Sequence, residues 1–366
     1  MIRVDLDGTR ILVIVYGHVA DTMAAIPGLR TLRRSYPSAR IEVLVLQASA
    51  PILAHSPYVD ELLTWGDLRR KGTRLARIEK ASAVASLTVR LRRRRYDTVV
   101  VFHRSFGFLR KLAHAVGART VVTAPAIAET ESSRDENRRV LAALGLQDDG
   151  EPVELWNTPA ESRVAQELLG PSREQPTIGL HPGSDWSCQQ WLPESFAAVG
   201  RRLQLSLGAR LVITGTAGEE RLQEEIADGL HEAPVRAAGK TTLGELTEVI
   251  RRLDLLICVN SAAAAIARAV GTPAVVLLGA EDPRLTGLDD DDSVRIVQGP
   301  PSVAPGSWCE FGRWGLLSSC ESPMCRGLGG LAEVSSDRVY AAATDLLGAT
   351  PGAVDLARRF PQEVAT

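Results

Sequence analysis

The sequence predicts an α/β protein with two doubly wound parallel sheets, and three observations support this fold class. Continuous aliphatic runs, such as Arg10-Ile-Leu-Val-Ile-Val-Tyr16, are typical of strands buried on both faces. Amphipathic helical patterns follow these runs, which indicates parallel strands joined by helical crossovers. The same alternation starts again after the linker-like segment Gly170-Pro-Ser-Arg-Glu-Gln-Pro176. Two such halves are expected to face a cleft, which is a preferred place for a ligand.

In the first half the aliphatic runs predict strands and the 3.6-residue periodicity predicts helices. The predicted strands are 11–16, 40–46, 96–102 and 119–122. The predicted helices are 22–35, a short one near 50–55, one or two within 67–95, then 109–116, 137–144 and 161–169.

The second half repeats this pattern. The predicted strands are 177–180, 210–213, 235–238, 255–259 and 274–278, and the helices are 193–206, 219–229, 243–253 and 261–270, with more helix from 337. We expect a first domain over 1–170, a second over 171–345 and a helical tail over 346–366.

The composition excludes several classes of protein. A formal charge of −2 over 366 residues gives no reason to expect nucleic acid. The basic run from Arg90 to Arg95 is interpreted as a solvated helix face, with contact to an anionic membrane surface as the weaker alternative. No apolar run spans a bilayer and the N-terminus does not resemble a signal peptide, so a cytoplasmic location is predicted. Cys309, Cys320 and Cys325 match no zinc spacing, and no metal is expected.

Asp21 follows the first predicted strand and stands at the start of the next helix. In an open α/β sheet ligands bind at the carboxyl ends of the strands, which makes this acid a candidate for chemistry. Asp is also a favoured helix N-cap, and the residues alone leave cap and catalyst open.

Four loops of the second half, 181–187, 214–218, 239–241 and 260–263, are rich in Gly, Ser or Thr. Such loops bring backbone N–H groups and helix N-termini to one edge of a sheet, which suits a diphosphate. No Walker A loop is present, and no GxGxxG follows the first strand, which argues against a nicotinamide oxidoreductase.

Several motifs along the chain, taken together, resemble glycosyltransferase family 9, the heptosyltransferases of GT-B architecture. The resemblance extends from about residue 10 to 345. In the first half it rests on Ile26-Pro-Gly-Leu-Arg-Thr-Leu-Arg-Arg-Ser-Tyr-Pro37 and Ser56-Pro-Tyr-Val-Asp-Glu-Leu62; in the second, on Ile178-Gly-Leu-His-Pro-Gly-Ser184, Trp191-Leu-Pro-Glu-Ser-Phe196, Gly239-Lys-Thr-Thr-Leu-Gly-Glu-Leu246 and Gly279-Ala-Glu-Asp-Pro283.

The resemblance implies an inverting, metal-independent transfer of a sugar from a nucleotide sugar to an acceptor hydroxyl, with Asp21 as general base. It implies an acceptor-side first domain and a donor-binding second domain. No cofactor is expected, because the nucleotide sugar, with ADP-heptose suspected, is a substrate. The expected partners are this donor and a hydroxyl-bearing acceptor (glycan, glycolipid or small-molecule core), with at most peripheral membrane contact.

The candidate site residues follow from the matched motifs and their neighbouring loops. On the donor side they are Gly183, Ser184, Gln189, Thr214, Gly215, Glu219, Lys240, Asn260, Ser261, Ala262 and Ala263. On the acceptor side they are Gly17, His18 and His103. For Glu219, a ribose contact and a helix-start charge remain equal alternatives.

The chain departs from the family pattern on the donor side. Gln189 stands where the family has Lys, and Asn260-Ser261-Ala262-Ala-Ala-Ala265 replaces Asp-Thr-Gly-x-x-His. Ser261 can still cap its helix and offer a hydroxyl to phosphate. These losses leave a non-catalytic sugar-nucleotide-binding protein open as one alternative. Abundant Ala and Arg with few Lys are typical of a GC-rich genome and leave a small-molecule acceptor, instead of lipopolysaccharide, as another.

Overall fold

The chain folds into two compact units, residues 1–156 and 157–366. This computed structural model describes residues 6–66, 74–102, 107–123, 132–171, 174–184, 189–279, 283, 286–288, 291–300 and 330–349.

The first unit alternates strands and helices. Its strands are β1 (Arg10–Val15), β2 (Arg40–Leu46), β3 (Glu61–Trp65), β4 (Thr98–Phe102) and β5 (Thr120–Thr123). Its helices are α1 (Val19–Ser35), α2 (Arg74–Arg93), α3 (Gly107–Val116) and α4 (Ser133–Ala143), with a 3-10 segment over Gln47–Leu53.

The five strands of the first unit form one parallel sheet in the order β3-β2-β1-β4-β5. The chain therefore reverses its direction of travel across the sheet between β1 and β4, whose carboxyl ends lie side by side. β1 and β4 are buried nearly throughout because helices cover both faces of a parallel sheet. α2 and α3 pack on one face, where Leu87, Leu91, Leu109 and Leu112 join the aliphatic core.

The second unit repeats the arrangement on a larger scale. Its strands are β6 (Thr177–His181), β7 (Arg210–Ile213), β8 (Val235–Arg236), β9 (Leu255–Val259), β10 (Ala274–Leu278) and β11 (Val294–Gln298). Its helices are α5 (Pro159–Leu169), α6 (Pro193–Leu207), α7 (Glu220–Asp228), α8 (Leu243–Arg251), α9 (Ala262–Val270) and α10 (Ser336–Ala349), with a 3-10 turn over Ala217–Glu219 before α7.

Its six strands are parallel in the order β11-β10-β9-β6-β7-β8, the strand order of a dinucleotide-binding fold. The reversal here falls between β6 and β9, with His181 paired opposite Cys258. Trp191 is buried in this unit, and its indole N–H donates to the carbonyl of Val334 at 3.0 Å. The contact fixes the start of α6 against the segment that leads into α10.

The predicted domain boundary after residue 170 was wrong by one helix, because α5 belongs to the second unit. The amide of Asn157 donates to the carbonyl of Gly244 at 2.9 Å, and Arg252 donates to Ser162 Oγ at 2.8 Å. Both bonds tie α5 and its lead-in to α8. The unit therefore begins at Asn157.

Other elements also differ from the prediction. β3 and β11 were not predicted as strands. α4 begins at Ser133, four residues before the predicted helix, because Ser132 caps it by accepting the N–H of Asp135. The predicted tail over 346–366 overlaps the end of α10, and its remainder lies outside the described residues, as do Cys309, Cys320 and Cys325. No helix in the described part of the chain is long and apolar enough to cross a membrane.

Candidate functional site

In the first unit the candidate site lies at the carboxyl ends of β1 and β4, where the sheet reverses. This edge is where doubly wound sheets bind ligands. Asp21 follows β1, as the sequence predicts. His103 follows β4 directly, but it lies outside the described residues.

The Asp21 carboxylate is held by two donors from different parts of the chain. The backbone N–H of His18 donates to Oδ2 at 2.8 Å, and the hydroxyl of Ser133 donates to Oδ1 at 2.9 Å. The side chain remains partly exposed. Charge-assisted hydrogen bonds of this kind fix the plane of a carboxylate and leave lone pairs for a further proton or ligand.

Gly17 allows the carboxylate to lie against the loop backbone. A Cβ built at this buried glycine would come within 2.4 Å of Asp21 Oδ2 and 2.5 Å of Asp21 Cβ. Neither atom is the end of a long flexible chain, so a larger residue at 17 displaces the acid. Gly17, which was predicted as an acceptor-side residue, therefore shapes the loop that holds Asp21.

A capping role for Asp21 does not exclude a catalytic role. The N-cap of α1 is His18, and Asp21 occupies the third helical position, from which Oδ2 reaches back to the N-cap N–H. That bond uses one oxygen. The bond from Ser133 to the other oxygen is not part of helix capping.

Ser133 is a site residue that the sequence did not reveal. It stands 112 positions from Asp21 and opens α4, which lies against α1. The amide of Asn137 donates to the carbonyl of Ala24 at 3.0 Å, which locks the two helices together. The only local signal was the capping motif at Ser132, which predicts the start of a helix but not its neighbour.

In the second unit two loops meet over a carboxylate. Cβ atoms built at Gly183 and Gly215 would lie 1.9 Å and 2.6 Å from the Glu219 carboxylate oxygens. Glu219 Oε2 also accepts the N–H of Thr216 at 2.7 Å. The structure thus brings these predicted residues together, and Glu219 serves as a cap. Because its negative charge lies over both glycines, the space there suits hydroxyl groups better than phosphate.

His181, at the end of β6, forms a polar pair with Thr214, which follows β7. His181 Nδ1 lies 2.9 Å from Thr214 Oγ1. Burial lowers the pKa of His181 to about 4, so the imidazole is neutral near pH 7. Thr214 is therefore a partner of His181, and its side chain is fully buried.

Two predicted residues of the loops have local partners. Ser184 donates to Gln189 Oε1 at 3.0 Å, so the amide that replaces the family lysine is joined to its own loop. Gly239 adopts a left-handed φ of +70°, and its N–H donates to the carbonyl of Gly215 at 3.0 Å. This bond places exposed Lys240 beside the 214–219 loop.

The loop after β9 carries a buried hydroxyl that has no partner among the described residues. Ser261 is the N-cap residue of α9, yet its Oγ makes no capping bond and no hydrogen bond to any residue that the structure describes. The predicted side-chain cap was therefore wrong. Asn260 is fixed through its N–H, which donates to the carbonyl of Leu277 at 3.2 Å. Ala262 is partly exposed at the helix start, whereas Ala263 is 1% exposed and its side chain packs inward.

The chain is similar to known proteins. A family model for glycosyltransferase family 9 (heptosyltransferase) matches residues 107–301, more than half of the 366 residues. The chain belongs to glycosyltransferase family 9. Lipopolysaccharide heptosyltransferase 3 of Escherichia coli is 29% identical to it over 294 residues, which are 72% of this chain and 81% of that protein.

Two solved structures share the fold of this family 9 member. A glycosyltransferase family 9 protein from Veillonella parvula is 21% identical, with a TM-score of 0.76 over 94% of this chain and 99% of that one. The ADP-heptose lipopolysaccharide heptosyltransferase II of E. coli is 20% identical, with a TM-score of 0.68 over 92% and 98%. The predicted family, the two parallel-sheet GT-B domains and the assignment as a glycosyltransferase are confirmed.

Proposed function

We propose that this glycosyltransferase moves a sugar, with inversion and without a metal, from a nucleotide-diphosphate sugar to an acceptor hydroxyl. The observation that carries this proposal is the Asp21 carboxylate at the end of β1, oriented by His18 N–H and Ser133 Oγ and still partly exposed. Because the relatives are named lipopolysaccharide heptosyltransferases, we propose heptose as the sugar and ADP as its carrier.

In the proposed reaction Asp21 acts as general base. The carboxylate takes the proton of the acceptor hydroxyl as that oxygen forms a bond to the anomeric carbon. The bond from this carbon to the diphosphate breaks on the opposite face, and its electron pair leaves with the diphosphate. The sugar carries oxocarbenium character between these events, as in glycoside hydrolysis.

The leaving diphosphate needs donors, and the start of α9 offers them. A helix N-terminus presents backbone N–H groups and positive potential to an anion. Ser261 adds a buried hydroxyl that has no bond within the described part of the protein. We place the diphosphate there rather than over Gly183 and Gly215, where it would meet the charge of Glu219.

Glu219 suits the ribose of the nucleotide. Its carboxylate accepts one backbone N–H and keeps further lone pairs for hydroxyl donors. Lys240, exposed beside the same loop, offers a cation near the nucleotide. His18 and Gly17 remain on the acceptor side of the proposal through their contact with Asp21.

A donor screen tests the proposal. Calorimetry with ADP, GDP, UDP and dTDP sugars identifies the donor. Sugar transfer from this donor to glycan and small-molecule acceptors is then measured in the presence of EDTA. We expect an ADP-sugar to bind, transfer to persist in EDTA, and the product to have the inverted anomeric configuration by NMR. Binding without turnover on every acceptor would instead support the non-catalytic alternative. A small-molecule acceptor and a cytoplasmic location stay predictions.

A further inference from the structure

The exposed sides of α2 and α3 carry cations that have no acidic partners among the residues that the structure describes. This surface, called the basic face below, comprises exposed Arg90, Arg92, Arg93, Arg110 and Lys111. No carboxylate in the described part of the chain pairs with any of the five. Arg94, the next residue along, shows the contrast, since it pairs with both Glu42 and Glu61.

The sequence around the basic face is almost free of acids. Between residues 80 and 123 the single acidic residue is Asp97, and its carboxylate accepts the backbone N–H of Arg10 at 2.9 Å. The whole chain nevertheless has a formal charge of −2. The positive charge of this face is therefore a local concentration, which produces a field that attracts a polyanion.

The two helices form one continuous surface. Both cover the same side of the sheet, with Leu87 and Leu91 of α2 packed in one core with Leu109 and Leu112 of α3. Their outward residues therefore point to the same side of the unit. A Cβ at Gly117, which follows α3, would lie 3.8 Å from Arg92 Nε, so the cations of α2 reach the end of α3.

Apolar side chains are exposed within the basic face. Val89 on α2 is 50% exposed and Phe108 at the start of α3 is 39% exposed. The ring of Phe108 lies 5.2 Å from that of Tyr16, which directly precedes Gly17. One end of the basic face thus adjoins the loop of Asp21.

We propose that the basic face docks on the surface of a bilayer that contains anionic lipid. The cations match the anionic headgroups of such a bilayer. The exposed side chains of Val89 and Phe108 match the boundary between the headgroups and the acyl chains. A nucleic acid would satisfy the cations but not the aliphatic side chain. This inference is independent of the proposed sugar transfer.

Vesicle pelleting with the full chain tests the proposal. We expect binding to vesicles of phosphatidylcholine mixed with phosphatidylglycerol, no binding to phosphatidylcholine alone, and weakening by added salt. The triple variant Arg92→Gln/Arg93→Gln/Lys111→Gln should bind on the order of a hundredfold more weakly, because each basic residue near the surface contributes roughly fivefold. All three side chains are exposed, so folding should be preserved.

A matched control removes three charges from elsewhere. Arg163, Arg201 and Arg236 are exposed and lie in the second unit, and Arg163→Gln/Arg201→Gln/Arg236→Gln should keep nearly all of the binding. Val89→Ser should weaken it by a smaller factor. Absence of binding at low salt, or equal losses in the two triple variants, would overturn the proposal. So would complete displacement by a DNA duplex together with no effect of Val89→Ser.

Discussion

Removing the Ser133 hydroxyl should slow sugar transfer. This hydroxyl donates to Asp21 Oδ1 at 2.9 Å, and both side chains are partly exposed. A hydrogen bond to a charged group contributes about 1.5–3 kcal/mol, and partial exposure favours the lower value, which corresponds to roughly tenfold in rate. The bond fixes the plane of the Asp21 carboxylate, so Ser133→Ala leaves the proposed base less well oriented. We therefore expect kcat/KM to fall by about tenfold while nucleotide binding is unchanged.

The assay is kcat/KM for sugar transfer, measured beside calorimetric binding of ADP for matched variants. Ser133→Thr keeps a hydroxyl and should restore the rate. Ser132→Ala removes the cap of the same helix without touching Asp21 and should leave the rate unchanged, at a cost of about 1 kcal/mol in stability. An unchanged rate in Ser133→Ala would refute the reasoning. An equal loss of rate in Ser132→Ala would show that helix placement, not the hydrogen bond, is responsible.

Three more changes test other parts of the account. Gly17→Ala should lower transfer about a hundredfold with nucleotide binding intact by calorimetry, because its Cβ displaces the Asp21 carboxylate and misplaced groups lose rate steeply. Ser261→Ala should weaken ADP binding about tenfold by calorimetry and leave the melting temperature unchanged, because its hydroxyl makes no bond within the described protein. Burial alone raises the pKa of Glu42, but hydrogen bonds from Tyr96 and three arginines outweigh it and bring the pKa to about 2. The stabilisation of the folded state is present above pH 4.5 and is lost as the pH falls toward 2. Denaturant unfolding should therefore show that Glu42→Gln is less stable by about 3 kcal/mol at pH 7, and that this difference in the free energy of unfolding becomes smaller in acid.

The buried strands could be predicted almost residue by residue. β2, β9 and β10 are nearly continuous aliphatic runs because helices cover both faces of a parallel sheet, and this leaves a clear pattern. β11 was missed because Val294-Arg-Ile-Val-Gln298 lies at the edge of its sheet and is only partly buried. A mixed five-residue stretch of this kind has no distinctive periodicity.

The boundary was missed for a different reason. Gly170 to Pro176 has the composition of a linker, and local composition was the only guide. What assigns α5 to the second unit is a set of long-range bonds, such as that from Arg252 to Ser162. Such contacts leave no mark in the neighbouring sequence.

The candidate site was likewise predictable only in part. The position of Asp21 after β1 follows from strand and helix patterns, and the structure confirms that position. The contact between Glu219 and two glycines had a signal, since glycine at the end of two strands marks a place where another group approaches closely. Ser133 had none, because its role depends on how α4 packs against α1.

The central claim is that Asp21 takes the proton of the acceptor hydroxyl, and Asp21→Asn tests it most directly. The amide keeps the size of the side chain and an oxygen for the Ser133 hydroxyl, but it has no basic lone pair of comparable strength. The measurement is transfer turnover beside calorimetric binding of ADP and of the donor identified in the screen. We predict loss of turnover by at least about a hundredfold with unchanged binding. Turnover close to that of the unsubstituted enzyme would contradict the account.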